Sequence, residues 1–322
     1  NDFAGFRKDS IGSIKIENAT GIDGRMTYYQ ELINNQYQFA YSVPFNAEFQ
    51  GSTYLPFNTY LSDSLRQTRV ENWISIINLS DKGGRFVVKT YNQKGELVKE
   101  RSYYLKANNR IDIDGGHDLL GLNKTGIHHL YPLDNTVKYL ATLSRYGYGS
   151  GGEVLYAQVA VAKTPTGEMV AVPVDNRHYS ENWAEATNVR NKAAAVQLIV
   201  RDHNGNVRHQ KEYYFKPFET KHFNLSYYLG SSALGYSQLI SSLKESLLVE
   251  SFIYVRNSLR GELEVVNNIA ANEPHGFSLN GSYNSYLGMN NWLRLTNLSN
   301  SNAESFIQVR GSAGVVQKRY DI

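Results

Sequence analysis

The densest group of side chains that could do chemistry is Asp112-Ile113-Asp114-Gly115-Gly116-His117-Asp118. Alternating carboxylates beside glycines can wrap a calcium ion, which takes roughly six to eight oxygens, so Asp112, Asp114 and Asp118 are the metal candidates. The competing reading is a capped turn at a strand end. The spacing does not follow the EF-hand loop, and the matching stretch further on, Lys221-His222-Phe223-Asn224-Leu225, has no carboxylate. His128-His129 is the one adjacent pair among eight histidines. Neighbours on an extended chain point to opposite faces and cannot easily share one metal, so a place in a linker at a domain junction is expected for them.

The run Gly147-Tyr148-Gly149-Ser150-Gly151-Gly152 lacks the Lys-Ser/Thr and the following helix of a phosphate loop and reads as a hairpin tip. Neither a Gly-x-Ser-x-Gly elbow nor a His-Glu-x-x-His signature occurs. Zero Cys removes thiolate catalysis, disulfides and Cys-held zinc. No catalytic residue and no cofactor is therefore expected, and the chain reads as non-enzymatic. Tyr is abundant, at 24 residues. Two groups, Tyr146 with Tyr148 and Tyr283 with Tyr286, fall in apparent loops, where binding residues concentrate, and Tyr is favoured at interfaces. They are the candidates for contact with protein or glycan.

The elements that must carry these residues come from a repeat of about 110 residues. Trp73, Trp183 and Trp292 each precede an Asn by five positions, namely Asn78, Asn188 and Asn297, and a Gly by 22, namely Gly95, Gly205 and Gly314. A residue repeated in each unit defines the unit, so the Trp residues are expected as core or strand-edge anchors rather than as sugar platforms. After each Trp the chain alternates: Ile74 and Ile76 share one face, then Ala184 and Ala186, then Leu293 and Leu295. Period two over five or six residues is a half-buried strand. Asn92-Gln93-Lys94-Gly95 and Asp202-His203-Asn204-Gly205 read as hairpin loops whose Gly takes a left-handed backbone at a bulge.

Short strands with turns every 8 to 12 residues predict an all-β chain: tandem antiparallel β-sandwich repeats of immunoglobulin-like type. Placing the less regular half of each unit before its Trp half gives domains 1–125, 126–235 and 236–322. The linkers are then 122–135 and 231–246, the second with Leu239, Ile240, Leu243 and Leu247 at helical spacing. The third domain stops short of its expected last strand. The chain also opens at Asn1 without Met, which suggests a processed product or a piece of something longer.

Composition agrees with 322 residues in two or three domains. The 33 basic against 30 acidic residues give no footprint for nucleic acid, and no apolar window is long enough to span a membrane as a helix. At Trp73 to Asn78 with Asn92 to Gly95, and Trp183 to Asn188 with Asp202 to Gly205, the chain resembles bacterial secreted tandem-repeat immunoglobulin-like β-sandwich proteins. In the third copy Gly311-Ser312-Ala313-Gly314 replaces the polar hairpin. That resemblance implies a periplasmic or extracellular place at a bacterial surface and structural or adhesive work. The expected partner is protein, as a homo-oligomer or larger envelope assembly; the alternative is an adhesin that binds a surface glycan or protein through its Tyr-rich loops.

Overall fold

The computed structural model describes residues 25–31, 37–44, 48–63, 66–165, 167–177, 179–256, 258–259, 263–270, 293, 295–299, 301–310 and 315–322. Contacts divide the chain into two units, Asn1–Glu273 and Pro274–Ile322.

The first unit opens with β1 (Arg25–Glu31) paired to β2 (Tyr37–Pro44). Eight strands and a helical turn follow: β3 (Thr53–Asn58), β4 (Gln67–Asn78), β5 (Gly84–Asn92), β6 (Leu97–Leu105), β7 (Arg110–Asp114), α1 (His117–Leu120), β8 (Thr125–Pro132), β9 (Tyr139–Gly149) and β10 (Val154–Val161). They form two antiparallel sheets in the orders β3-β8-β5-β6 and β10-β9-β4-β7. Leu55, Phe57, Phe86, Val88 and Leu130 from the first sheet meet Ile74, Ile76, Ala141 and Leu143 from the second in one buried cluster. The alternation after Trp73 thus puts Ile74 and Ile76 into the space between two sheets, where burying each aliphatic side chain contributes about 1.5–3 kcal/mol.

The next stretch repeats this strand for strand: β11 (Met169–Asp175), β12 (Ser180–Asn188), β13 (Ala194–Asp202), β14 (Val207–Phe215), β15 (Thr220–Asn224), α2 (Leu225–Leu229), β16 (Leu234–Ser241), β17 (Leu247–Arg256) and β18 (Leu263–Ala270). The sheet orders are β11-β16-β13-β14 and β15-β12-β17-β18, the same topology. Val170, Val172, Val196, Leu198 and Leu239 pack against Ala184, Ala186, Leu247 and Val249. Both β5–β6 and β13–β14 turn through the expected bulge, with Gly95 at φ 82 and Gly205 at φ 83.

The expected boundaries at 125/126 and 235/236 are corrected, because each falls inside a strand, β8 and β16. The less regular half of each unit is divided: its first strands close the sandwich of the Trp half that precedes it, β9 pairing with β4 and β17 with β12, whereas β11 opens the sandwich that follows, against β16. The helix expected over Leu239, Ile240, Leu243 and Leu247 is likewise corrected: Leu239 and Ile240 are in the strand β16, held on both sides by β11 and β13, Leu243 is in the turn after it and Leu247 opens β17.

In the second unit, β19 (Phe306–Arg310) and β20 (Val316–Asp321) form an antiparallel hairpin with a register shift at Val309/Arg310, and Leu293 and Leu295 are exposed. Trp292, Gly314, Tyr283 and Tyr286 lie outside the described residues.

Candidate site at the seam between the sandwiches

The calcium candidates are on the surface of the first sandwich; Asp112 and Asp114 are held by other protein groups, and the Asp118 carboxylate is exposed. Asp112 accepts from Arg110 Nε and Nη2 at 3.0 and 3.2 Å. Asp114 Oδ1 accepts the backbone N–H groups of Gly116 and Asp118 and lies 2.9 Å from His117 Nδ1. Burial raises the Asp114 pKa, but the bonds from His117, Asp118 and Gly116 outweigh it and hold the carboxyl at about 2. Asp114, His117 and Asp118 do converge, their ligand atoms lying within 4.8 Å of one another. Asp112 is not in that group. The stretch is a capped turn between β7 and α1.

The two histidines do face opposite ways, but on β8 rather than in a linker. His128 is fully buried; its Nε2 lies 3.0 Å from the Gly115 carbonyl and its Nδ1 3.0 Å from the Thr90 hydroxyl. A carbonyl can only accept, so Nε2 carries the proton and Thr90 donates to Nδ1. His129 stacks on Tyr54 at 4.8 Å. Tyr146 and Tyr148 are also on a strand, half-buried on the outer side of β9, where Arg69 covers the Tyr148 ring at 4.3 Å. More exposed are Tyr227 at 82%, Tyr214 at 68%, Tyr179 at 67% and Tyr104 at 64%.

Asn78 and Asn188 do the same work in both sandwiches. Asn78 Nδ2 donates to the carbonyls of Lys82 and Lys106, and Asn188 Nδ2 to those of Lys192 and Lys216, tying two turns to one strand end. Asn297 Nδ2 donates to the Ser301 carbonyl in the corresponding way. Neither described Trp lies in the clusters between sheets. Trp73 is half-buried on an outer face beside His117, and Trp183 packs at the border of the two sandwiches with Phe252 and Tyr254. The parity after the Asn dictates this, since Ile74 and Ala184 already take the inward positions.

That border holds the richest chemistry of the described residues. One row across the first sandwich runs Gln158, Arg145, Asn72, and one across the second runs His222, Glu185, Glu250, each neighbour in register with the next. The rows face each other. Arg145, Glu185 and Glu250 are 2%, 3% and 2% exposed. Arg145 Nη2 donates to the Tyr60 carbonyl at 2.8 Å, and its guanidinium lies 5.6 and 5.8 Å from the ring centres of Tyr156 and Phe252. Asn58 Nδ2 donates to Glu185 Oε1, His222 Nε2 is 3.6 Å from the same oxygen, and Lys163 Nζ is 2.8 Å from Glu250 Oε1. Burial pushes the Glu185 pKa up and Glu250 adds to the rise, against His222, Arg145 and the Asn58 amide.

Two carboxylates on adjacent strands invite comparison with a general acid/base pair. The space between the rows decides against a substrate: a cavity of about 20 Å³ holds roughly one water. Asn72 Oδ1 and Gln158 Oε1 lie buried without a hydrogen-bond partner, which is the setting in which a water is retained. The arrangement can neutralise charge and join two bodies. A second clasp lies nearby, where Leu263 N donates to Asp63 Oδ2 at 3.1 Å and Arg256 Nη2 to the Ser62 carbonyl at 2.9 Å.

At the other margin of the seam the β5–β6 tip meets the turn before β15. Tyr91 stacks on Phe218 at 4.2 Å, Thr220 N donates to the Gln93 carbonyl at 3.0 Å, and Lys94 forms an isolated bridge with Glu219. A Cβ on Gly95 would run into the Pro217 carbonyl, whereas one on Gly205 would meet nothing. Gly205→Ala is expected to cost about 1–2 kcal/mol for its left-handed backbone, and Gly95→Ala about 2–5 kcal/mol because overpacking is added. Urea melts of both variants check this; equal losses would mean the tip does not bear on the seam.

The fold and the seam together define an all-β body of paired antiparallel sandwiches. No protein family profile matches the chain. No curated protein matches it either. Among solved structures, a Bacteroides uniformis β-glucuronidase is similar at 11% identity over 68% of this chain and 26% of its own, with a TM-score of 0.16. A Dictyoglomus thermophilum β-D-glucuronidase gives 11%, 76%, 44% and 0.17. The Ruminococcus gnavus β-glucuronidase with uronic isofagomine gives 11%, 81%, 45% and 0.17. The chain spans less than half the length of each, and likenesses this slight bear neither on fold nor on activity.

Proposed function

We propose that the chain is a non-enzymatic structural subunit of a bacterial envelope or cell-surface assembly, built from immunoglobulin-like sandwich repeats and working at the periplasmic or extracellular side. The observation that carries this reading is the seam. The most densely charged buried group of the described residues encloses room for about one water, so its charges are spent on fixing one sandwich against the next. Repeats joined in this way set a length and present edges and loops to partners. The motif shared by Asn78, Asn188 and Asn297 supports a third copy of the repeat in the second unit.

The alternative, an adhesin binding protein or glycan, gains support from Tyr104 and Tyr214, which stand exposed at equivalent places on β6 and β14. Light scattering across a concentration series, with electron microscopy of the same sample, tests the first reading. Growth in mass into rings, sheets or filaments is expected. A monomer at every concentration would turn attention to glycan arrays and Tyr→Ala variants.

A further inference from the structure

The second sandwich carries an aromatic cluster that the first does not repeat. His209, Lys211 and Tyr213 alternate along β14 and so share one of its faces. From α2, Tyr228 stacks on the His209 ring at 3.9 Å, and its hydroxyl lies 3.3 Å from that of Tyr213. The Tyr213 hydroxyl is also 3.5 Å from His209 Nε2, and Phe223 holds the Tyr213 ring edge-on at 4.9 Å. Tyr227, 82% exposed, meets Tyr228 edge-on at 5.7 Å. In the first sandwich Tyr103 keeps the place of Tyr213, but Lys99 stands where His209 does and α1 contains no tyrosine.

Two phenols in contact beside an imidazole are arranged for oxidative coupling. A phenol that gives up an electron becomes strongly acidic, so it is oxidised most readily where a neutral base can take its proton. Tyr213 is protonated at neutral pH, since burial and the Tyr228 hydroxyl push its pKa up to about 12. His209 is free of charge there, because burial and Lys211 lower its pKa. The carbons at which two phenoxyl radicals join lie next to the hydroxyl-bearing carbon of each ring, and the contact between the hydroxyls brings those edges together.

We propose that Tyr213 and Tyr228 are a site of oxidative modification, at which hydrogen peroxide acting through a haem peroxidase joins the two rings into dityrosine and staples α2 to β14. Tyr227 is the relay through which electrons leave the pair. The peroxide takes one electron and one proton from each phenol and is reduced to two waters. A carbon–carbon bond then forms between the ring positions ortho to the hydroxyls. The hydrogen on each of those carbons moves to its own oxygen, and the product holds two hydrogens fewer than the starting pair. His209 takes the Tyr213 proton as the electron departs and passes it to solvent.

Dilute protein treated with hydrogen peroxide and peroxidase, then digested and analysed by mass spectrometry, tests this. The expected product links the peptide carrying Tyr213 to the peptide carrying Tyr228 with the loss of two hydrogens, within a chain that stays at the mass of one. Fragmentation of the linked peptides distinguishes these residues from Tyr214 and Tyr227. Tyr103 should remain uncoupled. Tyr228→Phe should abolish the product, Tyr214→Phe should leave it, and His209→Phe, which keeps the stack and removes the base, should slow it by about 100-fold, the lower end for a positioned proton acceptor. N-acetyltyrosine coupled in a parallel tube shows that the oxidant is active. With that control positive, wild-type chain that carries no link between Tyr213 and Tyr228 would overturn the proposal. A link that forms only after unfolding in urea would overturn it equally.

Discussion

Replacing Arg145 by Ala is expected to destabilise the first unit by about 3–5 kcal/mol, the range for leaving buried charge uncompensated; Glu185 feels the guanidinium through space, its direct contacts being Asn58 and His222. Most of that loss should come from what remains. Glu185 would keep its burial and lose the cation that faces it, whereas Glu250 keeps Lys163, and lost packing against Tyr156 and Phe252 adds to the loss. The apportionment can be measured. If stranded charge dominates, Glu185→Gln placed on top of Arg145→Ala should recover about 1–2 kcal/mol, since the amide costs less to bury than an ion. Urea unfolding of wild type, both single variants and the double gives the cycle. A double variant no more stable than Arg145→Ala would assign the loss to packing alone. Small-angle scattering on the same proteins should show Arg145→Ala with a larger radius of gyration if the seam opens before the sandwiches unfold.

Acid should weaken the fold through His128, over a window set by its burial. Desolvation lowers its pKa from 6.5 to about 4, and Arg101 nearby pushes the same way, against the pull of the Gly115 carbonyl and Asp114. A group whose folded pKa is depressed contributes stability above its unfolded value and loses it as pH falls through the folded value. For His128 that contribution is intact above pH 6.5 and gone below 4, and the difference corresponds to about 3 kcal/mol. His128→Gln can still donate to Gly115 and accept from Thr90, and it does not titrate. Between pH 7 and pH 4 the wild type should therefore lose about 3 kcal/mol more than the Gln variant. Other groups titrate in the background and cancel in this comparison, first among them His129, which burial and Lys89 also lower to about 4. Glu185, with its raised pKa, loses stabilisation as pH rises, and Asp114, held at about 2, loses it only in stronger acid. Parallel pH profiles for wild type and variant would show that His128 stays neutral or is hydrated.

Strands were legible because their signal is local. The alternation of Ile74 with Ile76, or Ala184 with Ala186, needs only five consecutive residues to declare a face, and the hairpin glycines at 95 and 205 declare their turns. Phase was not legible. A repeat reads the same wherever the cut is placed, and only the pairing of β9 with β4 shows which halves share a sheet. The tryptophans misled for a related reason. Recurrence argued for a structural role, which Trp183 has, but parity had already assigned the inward positions to their neighbours. The seam was missed because Arg145, Glu185 and Glu250 stand on different strands of two sandwiches, and no spacing brings them together. One signal was present. Aligned by register, Ser75 and Thr142 of the first copy become Glu185 and Glu250 in the second, and a paired change from hydroxyl to carboxylate on strands that otherwise keep their pattern marks a surface with a different neighbour.

Phe218 carries a consequence for how such modules can be moved. It holds a left-handed backbone at φ 58, a conformation that costs a bulky L-residue about 1–2 kcal/mol and that Asn108 occupies in the first copy. The ring is kept there because Tyr91, on the other sandwich, stacks on it. The second sandwich is thus adapted to its neighbour at its own expense: excised, it would fold better with Asn or Gly at 218, and in place it would join worse. Shuffling these domains between chains requires moving them in adjacent pairs.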